Sequence, residues 1–499
     1  MFPNEDTLES KFTLESDKGG VIDEPPFHLL VMGDWSGDGE KRPLSERSPI
    51  EIDRDNFDEV MAKFGVRLDL EAKNGSIGLE FRQLDDLHPD EIFRQVPLFD
   101  ELRDLRQQLK NEDTFYAAAR KVREWNGADT GPSPEPAAPA TSVAPAGSLL
   151  DAILTQPTGG APAPRGSDDS ELNLLISDII RPHLVLVDED EQKGMLNAVD
   201  TATSSLMRTI IHTKRFRELE AAWRGLFLLV RRIETDSDLK IFILDVSKDE
   251  LAADLKSSSD LRDTTMYEFL VTKAEEDDEP WSVLLGNYNF SPTLDDVAAL
   301  IRIGTLAARA NASFVSHMRP EVLGIHSLAE QSDPREWRMT ADSDAGRLWA
   351  TLRGIPEAEY IGMTMPRFLS RLPYGRDTEP LESFAFEEFE GSPPIDGYCW
   401  ANGSFLAGAL LAQTFSQHGW DMSRTFKQDL EDLPVHVFED KGETVNRPAG
   451  EVLLTQNACE LLMEYGLMPL ISYKNTDRLK LGRFQSISDP VTALRGRWR

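Results

Sequence analysis

A chain of 499 residues exceeds what one ordinary hydrophobic core organises and implies two to four domains. Its 53 Lys and Arg against 87 Asp and Glu leave a net charge of −34. That balance excludes nucleic acid and anionic membrane as main partners, since both demand a basic footprint, and it suits protein partners instead.

In chain order, residues 1–6 (MFPNED) are acidic and lack the apolar core of a signal peptide. No apolar run approaches the ~18 residues of a membrane span, so the cytoplasm is the expected compartment. Residues 27–32 (FHLLVM) read as a buried strand, followed by a Gly-rich turn over 33–39. Residues 53–64 read as a helix capped by Asp55 or Asn56, with Phe57, Val60, Met61 and Phe64 on one face. Ile77, Leu79 and Phe81 alternate with polar residues as in a strand, and 89–123 read as strongly helical. At Gly127 the composition turns to Pro, Ala, Ser and Gly through about residue 169. Such a stretch buries too little apolar surface to offset its ordering entropy and is expected to be a flexible tether. An apolar island at 149–154 (LLDAIL) interrupts it, read as a helical turn that docks on a partner or as plain linker.

Beyond the tether, residues 195–233 carry the clearest helical pattern. Phe216, Leu219, Trp223, Leu226, Val230 and Ile233 step by three and four residues into one apolar stripe, read as core rather than interface. A strand at 240–246 (KIFILDV) follows, then Ser247 and Glu250 spaced as a capping box. Residues 281–285 read as a strand, 294–310 as a buried Ala-rich helix, and Phe314 and Val315 as another strand. This alternation implies an α/β layer with parallel pairing. Beyond Arg347 the pattern is mixed, with a helix over 403–415.

No motif in the chain specifies a chemistry. The 33–39 loop follows a strand, as a phosphate-cradling loop would, but meets neither GxxxxGK[ST] nor GxGxxG, and Ser36 is not central in a GxSxG elbow. A tight turn is the expected reading. His88 lies among Asp85, Asp86, Asp90 and Glu91, a set able to hold a divalent metal; with Pro89 following, it reads better as a helix start with acids at the positive end of the dipole. The acidic run 188–191 reads as a solvated helix start, and His212, His317, His326, His418 and His436 have no local base or nucleophile at a known spacing. Cys399 and Cys459 form no disulfide framework and no zinc site, and are expected to pack as small apolar side chains. No catalytic residue, cofactor or metal is expected.

At 213–230 the string TKRFRELEAAWRGLFLLV resembles the signature of the large contractile-sheath subunit of type VI secretion systems, the TssC (ImpC/EvpB/VipB-like) family, at Phe216, Leu219, Glu220, Trp223, Arg224, Gly225, Leu226, Leu229 and Val230. A second match is 360–375, YIGMTMPRFLSRLPYG, with Pro366, Arg367, Phe368, Pro373, Tyr374 and Gly375; a third runs from Ser472 to Pro490. Together they cover about 171–490. The front unit, from 26–37 (PFHLLVMGDWSG) through 50–60 and 84–105, resembles the small subunit, TssB (ImpB/VipA-like). The resemblance implies an α/β, α+β-mixed sheath-subunit fold in three parts: a small-subunit domain over 1–126, a flexible linker over 127–170, and a large-subunit domain over 171–499. Fusion would fix the stoichiometry of the two.

The family implies a non-catalytic structural subunit that assembles with other sheath subunits around an inner tube protein to drive effector delivery. The baseplate and a recycling unfoldase ATPase are further family partners. Trp223 is expected as a packing anchor, and Arg224 and Arg367 as buried with acidic partners. Three departures stand out: residues 424–431 lack the family's glycines, the front unit is short of the small subunit's C-terminal helical part unless the 149–154 island replaces it, and the chain stops at Arg499, where the family continues into an interlocking strand. A small basic tip of Arg495, Arg497 and Arg499 stands there instead. These departures motivate an alternative, a non-polymerising accessory protein that binds the sheath or baseplate. An α/β hydrolase is the remote alternative, and it lacks a visible nucleophile and base.

Overall fold

Short runs of consecutive apolar residues, rather than alternating ones, dominate the strands, as expected where a sheet is covered on both faces. The computed structural model describes residues 24–72, 75–111, 113–125, 191–276, 279–338 and 342–498; the tether and the island at 149–154 lie outside the described residues.

The front segment contributes β1 (Phe27–Gly33), β2 (Ile50–Glu51), α1 (Phe57–Phe64), the hairpin β3 (Val66–Ala72) and β4 (Gly75–Phe81), α2 (Pro89–Gln95), α3 (Asp100–Lys110) and α4 (Phe115–Trp125). The rear segment opens with α5 (Glu191–Ile211), α6 (Lys214–Arg232), β5 (Leu239–Asp245), α7 (Lys248–Ser257), β6 (Trp281–Phe290), α8 (Leu294–Ala310), β7 (Ser313–Met318) and α9 (Asp344–Arg353). It continues with β8 (Ile361–Met365), the paired β9 (Phe368–Leu369) and β10 (Trp400–Ala401), α10 (Ser404–His418) and β11 (Asp429–Leu430). The hairpin β12 (His436–Asp440) and β13 (Glu443–Arg447), α11 (Gln456–Glu464), β14 (Leu467–Ser472) and β15 (Leu479–Leu481) complete it.

Nine strands form one sheet in the order β11-β15-β14-β8-β7-β6-β1-β5-β2. The pairs from β14 through β8, β7, β6 and β1 to β5 are all parallel; antiparallel pairings of β2 with β5, β15 with β14 and β11 with β15 finish the edges. The expected parallel layer is present, with one change of order. The front segment's β1 separates β5 from β6, pairing from Phe27 opposite Leu239 to Gly33 opposite Asp245 on one side, and from Leu29 opposite Val283 to Met32 opposite Gly286 on the other. The sheet thus crosses the compositional break in the chain.

The two faces bury separate cores. On β1, Phe27, Leu29 and Val31 join one core with α1, α3, α5, α6 and α10, while Leu30 and Met32 join the other with α7, α8, α9 and α11. The stripe Phe216, Leu219, Trp223, Leu226, Val230 and Ile233 is buried throughout within this single chain.

Three helical boundaries differ from the expected ones, each for a local reason. The helix expected from 53 starts at Phe57, because Asp53 Oδ1 accepts the N–H groups of Asp55 (2.8 Å) and Asn56 (2.9 Å) and holds a turn there. The 89–123 helix is three helices, interrupted at Pro97 and around Asn111, where Thr114 Oγ1 donates to the Gln108 carbonyl at 2.8 Å. The 195–233 helix is two, because Thr213 turns extended and its hydroxyl accepts from Phe216 N at 3.2 Å as a new N-cap. Two arginines of the basic tip are engaged, while Arg499 lies outside the described residues: Arg495 pairs with Glu359 at 2.7 Å, and Arg497 donates to the carbonyls of Trp281 and Ala310, both at 2.9 Å.

Candidate functional site: a buried ion cluster and the cleft beside it

Helical periodicity carries a charge into the core. Glu220 follows Leu219 on the buried side of α6 and is 0% exposed. A lone carboxylate there would be very costly, so cations must meet it. Arg224, one turn on, donates from Nε to Glu220 Oε1 at 2.8 Å. Arg371 crosses from the loop after β9 with Nε at 2.6 Å from Oε1 and Nη2 at 3.0 Å from Oε2, the bidentate geometry of a guanidinium. The far side of Arg371 grips Glu388 at 2.7 and 3.2 Å. Tyr374 closes the group: its N–H donates to Glu388 (2.8 Å), and its hydroxyl accepts from Arg224 (2.8 Å) and donates to Glu220 (3.2 Å). Two acids and two guanidinium groups make the cluster neutral.

The electrostatics follow from this pairing. Burial opposes ionisation of Glu388, but Arg371 and the neighbouring His212 outweigh it and hold the carboxyl at about 2. Glu220 is likewise held low: Arg371 and Arg224 overcome its desolvation. His212 Nε2 lies 3.6 Å from Glu388, and its ring stacks on Phe389 with centroids 5.3 Å apart. Beside the cluster, burial pushes the Cys399 thiol up to about 12, so no thiolate forms there at neutral pH. Cys399 and Cys459 are both free and buried.

Trp223 is fully buried and binds the two segments together. Its indole N–H donates to the Trp35 carbonyl at 3.0 Å, and its rings meet Trp35, Phe57 and Phe64 edge-on at centroid distances of 5.3, 5.7 and 6.3 Å. Gly225 lets α10 approach: a Cβ there would stand 2.5 Å from the Phe405 ring. Phe216 and Leu219 are buried in the same core, Phe216 against Phe81. Arg367 holds Glu451 in a two-point pair at 3.1 and 2.5 Å. Phe368 is buried in β9, the Pro373 carbonyl accepts from Thr378 Oγ1 at 2.5 Å, and Gly375 N donates to Glu379 O at 3.1 Å. Of the residues singled out from the sequence, Glu220, Arg224 and Tyr374 meet in one cluster, while Pro366 and Arg367 line a separate cleft of about 320 Å³.

The Gly-rich loop after β1 is tied to protein rather than open to a phosphate. Asp245, at the end of β5, accepts from Trp35 N (2.8 Å), Ser36 N (3.4 Å) and Ser36 Oγ (2.6 Å). Gly37 has φ +62 and lies against the Arg67 carbonyl, as a tight turn requires. His88 accepts from Asp90 N at 3.2 Å and caps α2, with Pro89 in the first turn. Among the described residues no three His, Cys, Asp or Glu side chains gather in a metal-holding group.

Arg371, Glu388 and Asp245 were not singled out by the sequence, and Trp35 stands inside the quoted 26–37 string. Arg371 stands inside the quoted 360–375 string, five residues after the conspicuous Pro366. Glu388 lies in an acidic loop that reads as solvated surface, and nothing local marks it.

The profile of the VipB family, described as EvpB/VC_A0108, tail sheath N-terminal domain, matches residues 193–488. The chain belongs to the VipB tail-sheath family. Its front segment, residues 10–124, matches a second family, described as type VI secretion system, VipA, VC_A0107 or Hcp2. The type VI secretion system sheath protein TssC1 of Pseudomonas aeruginosa PAO1 is 34% identical over 311 residues, 60% of this chain and 62% of that protein. The chain thus spans less than two thirds of the curated relative it matches. The ion cluster and Trp223 all lie within the matched residues 193–488. No helix among the described residues is long and apolar enough to cross a membrane.

Proposed function

We propose that this chain is a structural subunit of a type VI secretion contractile sheath in which a small and a large subunit are fused. One observation carries the reading: a strand from the VipA-type segment lies inside the sheet of the VipB-type segment, hydrogen-bonded on both edges. Two sheath components joined this way present one rigid building block. Copies, or separate sheath subunits, pack around an inner tube in the cytoplasm, and a lattice interface with two stable arrangements does the mechanical work. The baseplate and a recycling unfoldase ATPase are proposed as further partners. The geometry supports a non-enzymatic role, because the strongest charges are locked in mutual pairs and the buried thiol is held protonated.

Negative-stain electron microscopy with sedimentation of the purified chain, alone and with separate sheath subunits, tests this. Tubes or cogwheel rings are expected. Small complexes that bind only sheath ends would turn the reading to an accessory protein.

A further inference from the structure

The cleft of about 320 Å³ lies past the ends of β7 and β8, the side of a parallel sheet where α/β folds receive ligands. Four of its eight Lys, Arg, Asp and Glu side chains pair with one another: Arg367 holds Glu451, and Lys214 stands 3.8 Å from Glu218. Others do not. Arg319, which follows β7, binds Phe290 through its backbone N–H alone; its guanidinium has no hydrogen-bond or ion-pair partner among the described residues. Arg217 Nε, His317 Nδ1 and Glu321 Oε2 are shielded from solvent and have no hydrogen-bond partner among the described residues. Buried polar atoms are nearly always satisfied, so several orphans converging on one cleft mark a contact that this chain does not complete by itself. Burial, reinforced by the nearby Arg367 charge, holds His317 at about 3, so its ring is neutral and can donate from Nδ1.

We infer that this cleft recognises a carboxylate, delivered by an acidic side chain of a second copy of the chain. The free Arg319 fork offers two parallel donors to a carboxylate. Glu321 accepts a donor that flanks the incoming acid. The occupant follows from charge: each copy carries 87 Asp and Glu against 53 Lys and Arg, a net −34, and the Arg319 guanidinium is a cation left unmatched among the described residues. The inference rests on the sheath reading and names one of its lattice contacts.

The test compares the full chain with Arg319→Glu and Arg319→Lys. The Arg319 side chain has no partner among the described residues, so melting temperatures should agree within about 2 °C. Arg319→Glu is expected to raise the concentration needed for assembly about tenfold or more, and Arg319→Lys far less. Assembly of Arg319→Glu at the wild-type concentration would overturn the inference. If the wild-type chain forms no polymer, the sheath reading is what fails, and titration of the dilute chain with sodium glutarate decides the cleft. Saturable stabilisation lost in Arg319→Glu upholds a carboxylate site; no response overturns it. Glutarate binding beside Arg319-independent assembly assigns the cleft to a free small carboxylate and overturns the second-copy contact.

Discussion

Arg371 holds two buried carboxylates at once, which makes it the residue whose loss leaves most charge unmatched. Arg371→Ala is expected to cost about 3–5 kcal/mol in chemical denaturation, the range for breaking a buried pair from one side. Arg367→Ala should cost less, since its side chain is one third exposed (34%). The cluster also sets an acid response. Glu388 is held below its ordinary value, so its contribution is fully present above about pH 4.5 and is lost as pH falls toward about 2. The stability gap between the wild type and Glu388→Gln should therefore narrow across that window and stay constant from pH 5 to 7. A gap that widens in acid would contradict the pairing. Gly225→Ala forces a methyl group into the Phe405 ring and should cost about 1–3 kcal/mol, read as a lowered melting temperature.

Elements show where sequence reading succeeds and where it stops. The helices α6 and α8, the strand β5 and the capping box at Ser247 were legible because period and cap chemistry are local signals. The strand β3 was not, since VRLDLEA carries charge on its outer face. The break at Thr213 was hidden because α5 and α6 are both apolar on one side, so a stepping pattern runs across it. The placement of β1 was invisible in principle: FHLLVM announces a buried strand, but nothing local says that its neighbours stand more than 200 residues away. The ion cluster was half legible, with Glu220, Arg224 and Tyr374 inside recognisable strings and Glu388 in an unremarkable loop. Because β1 is interior, Leu30→Asp should unfold the rear segment as well as the front, seen as loss of the whole cooperative transition. Asp245→Ala, which strips three donors of their acceptor, should cost about 2–3 kcal/mol.

At the scale of the molecule, front and rear segments meet through β1, through the Trp35–Trp223 contact and through the Arg106–Asp200 pair at 2.6 Å. In the proposed sheath role, a shared central sheet would keep the two parts from coming apart under load. Joining the two parts in one chain keeps them at equal number and high local concentration. The most direct test is to introduce a specific protease site near residue 140, cut the folded chain, and run the product on native size exclusion and a thermal melt. The account predicts that the two pieces elute together and melt in one transition. Pieces that separate in native buffer, or melt independently, would contradict it.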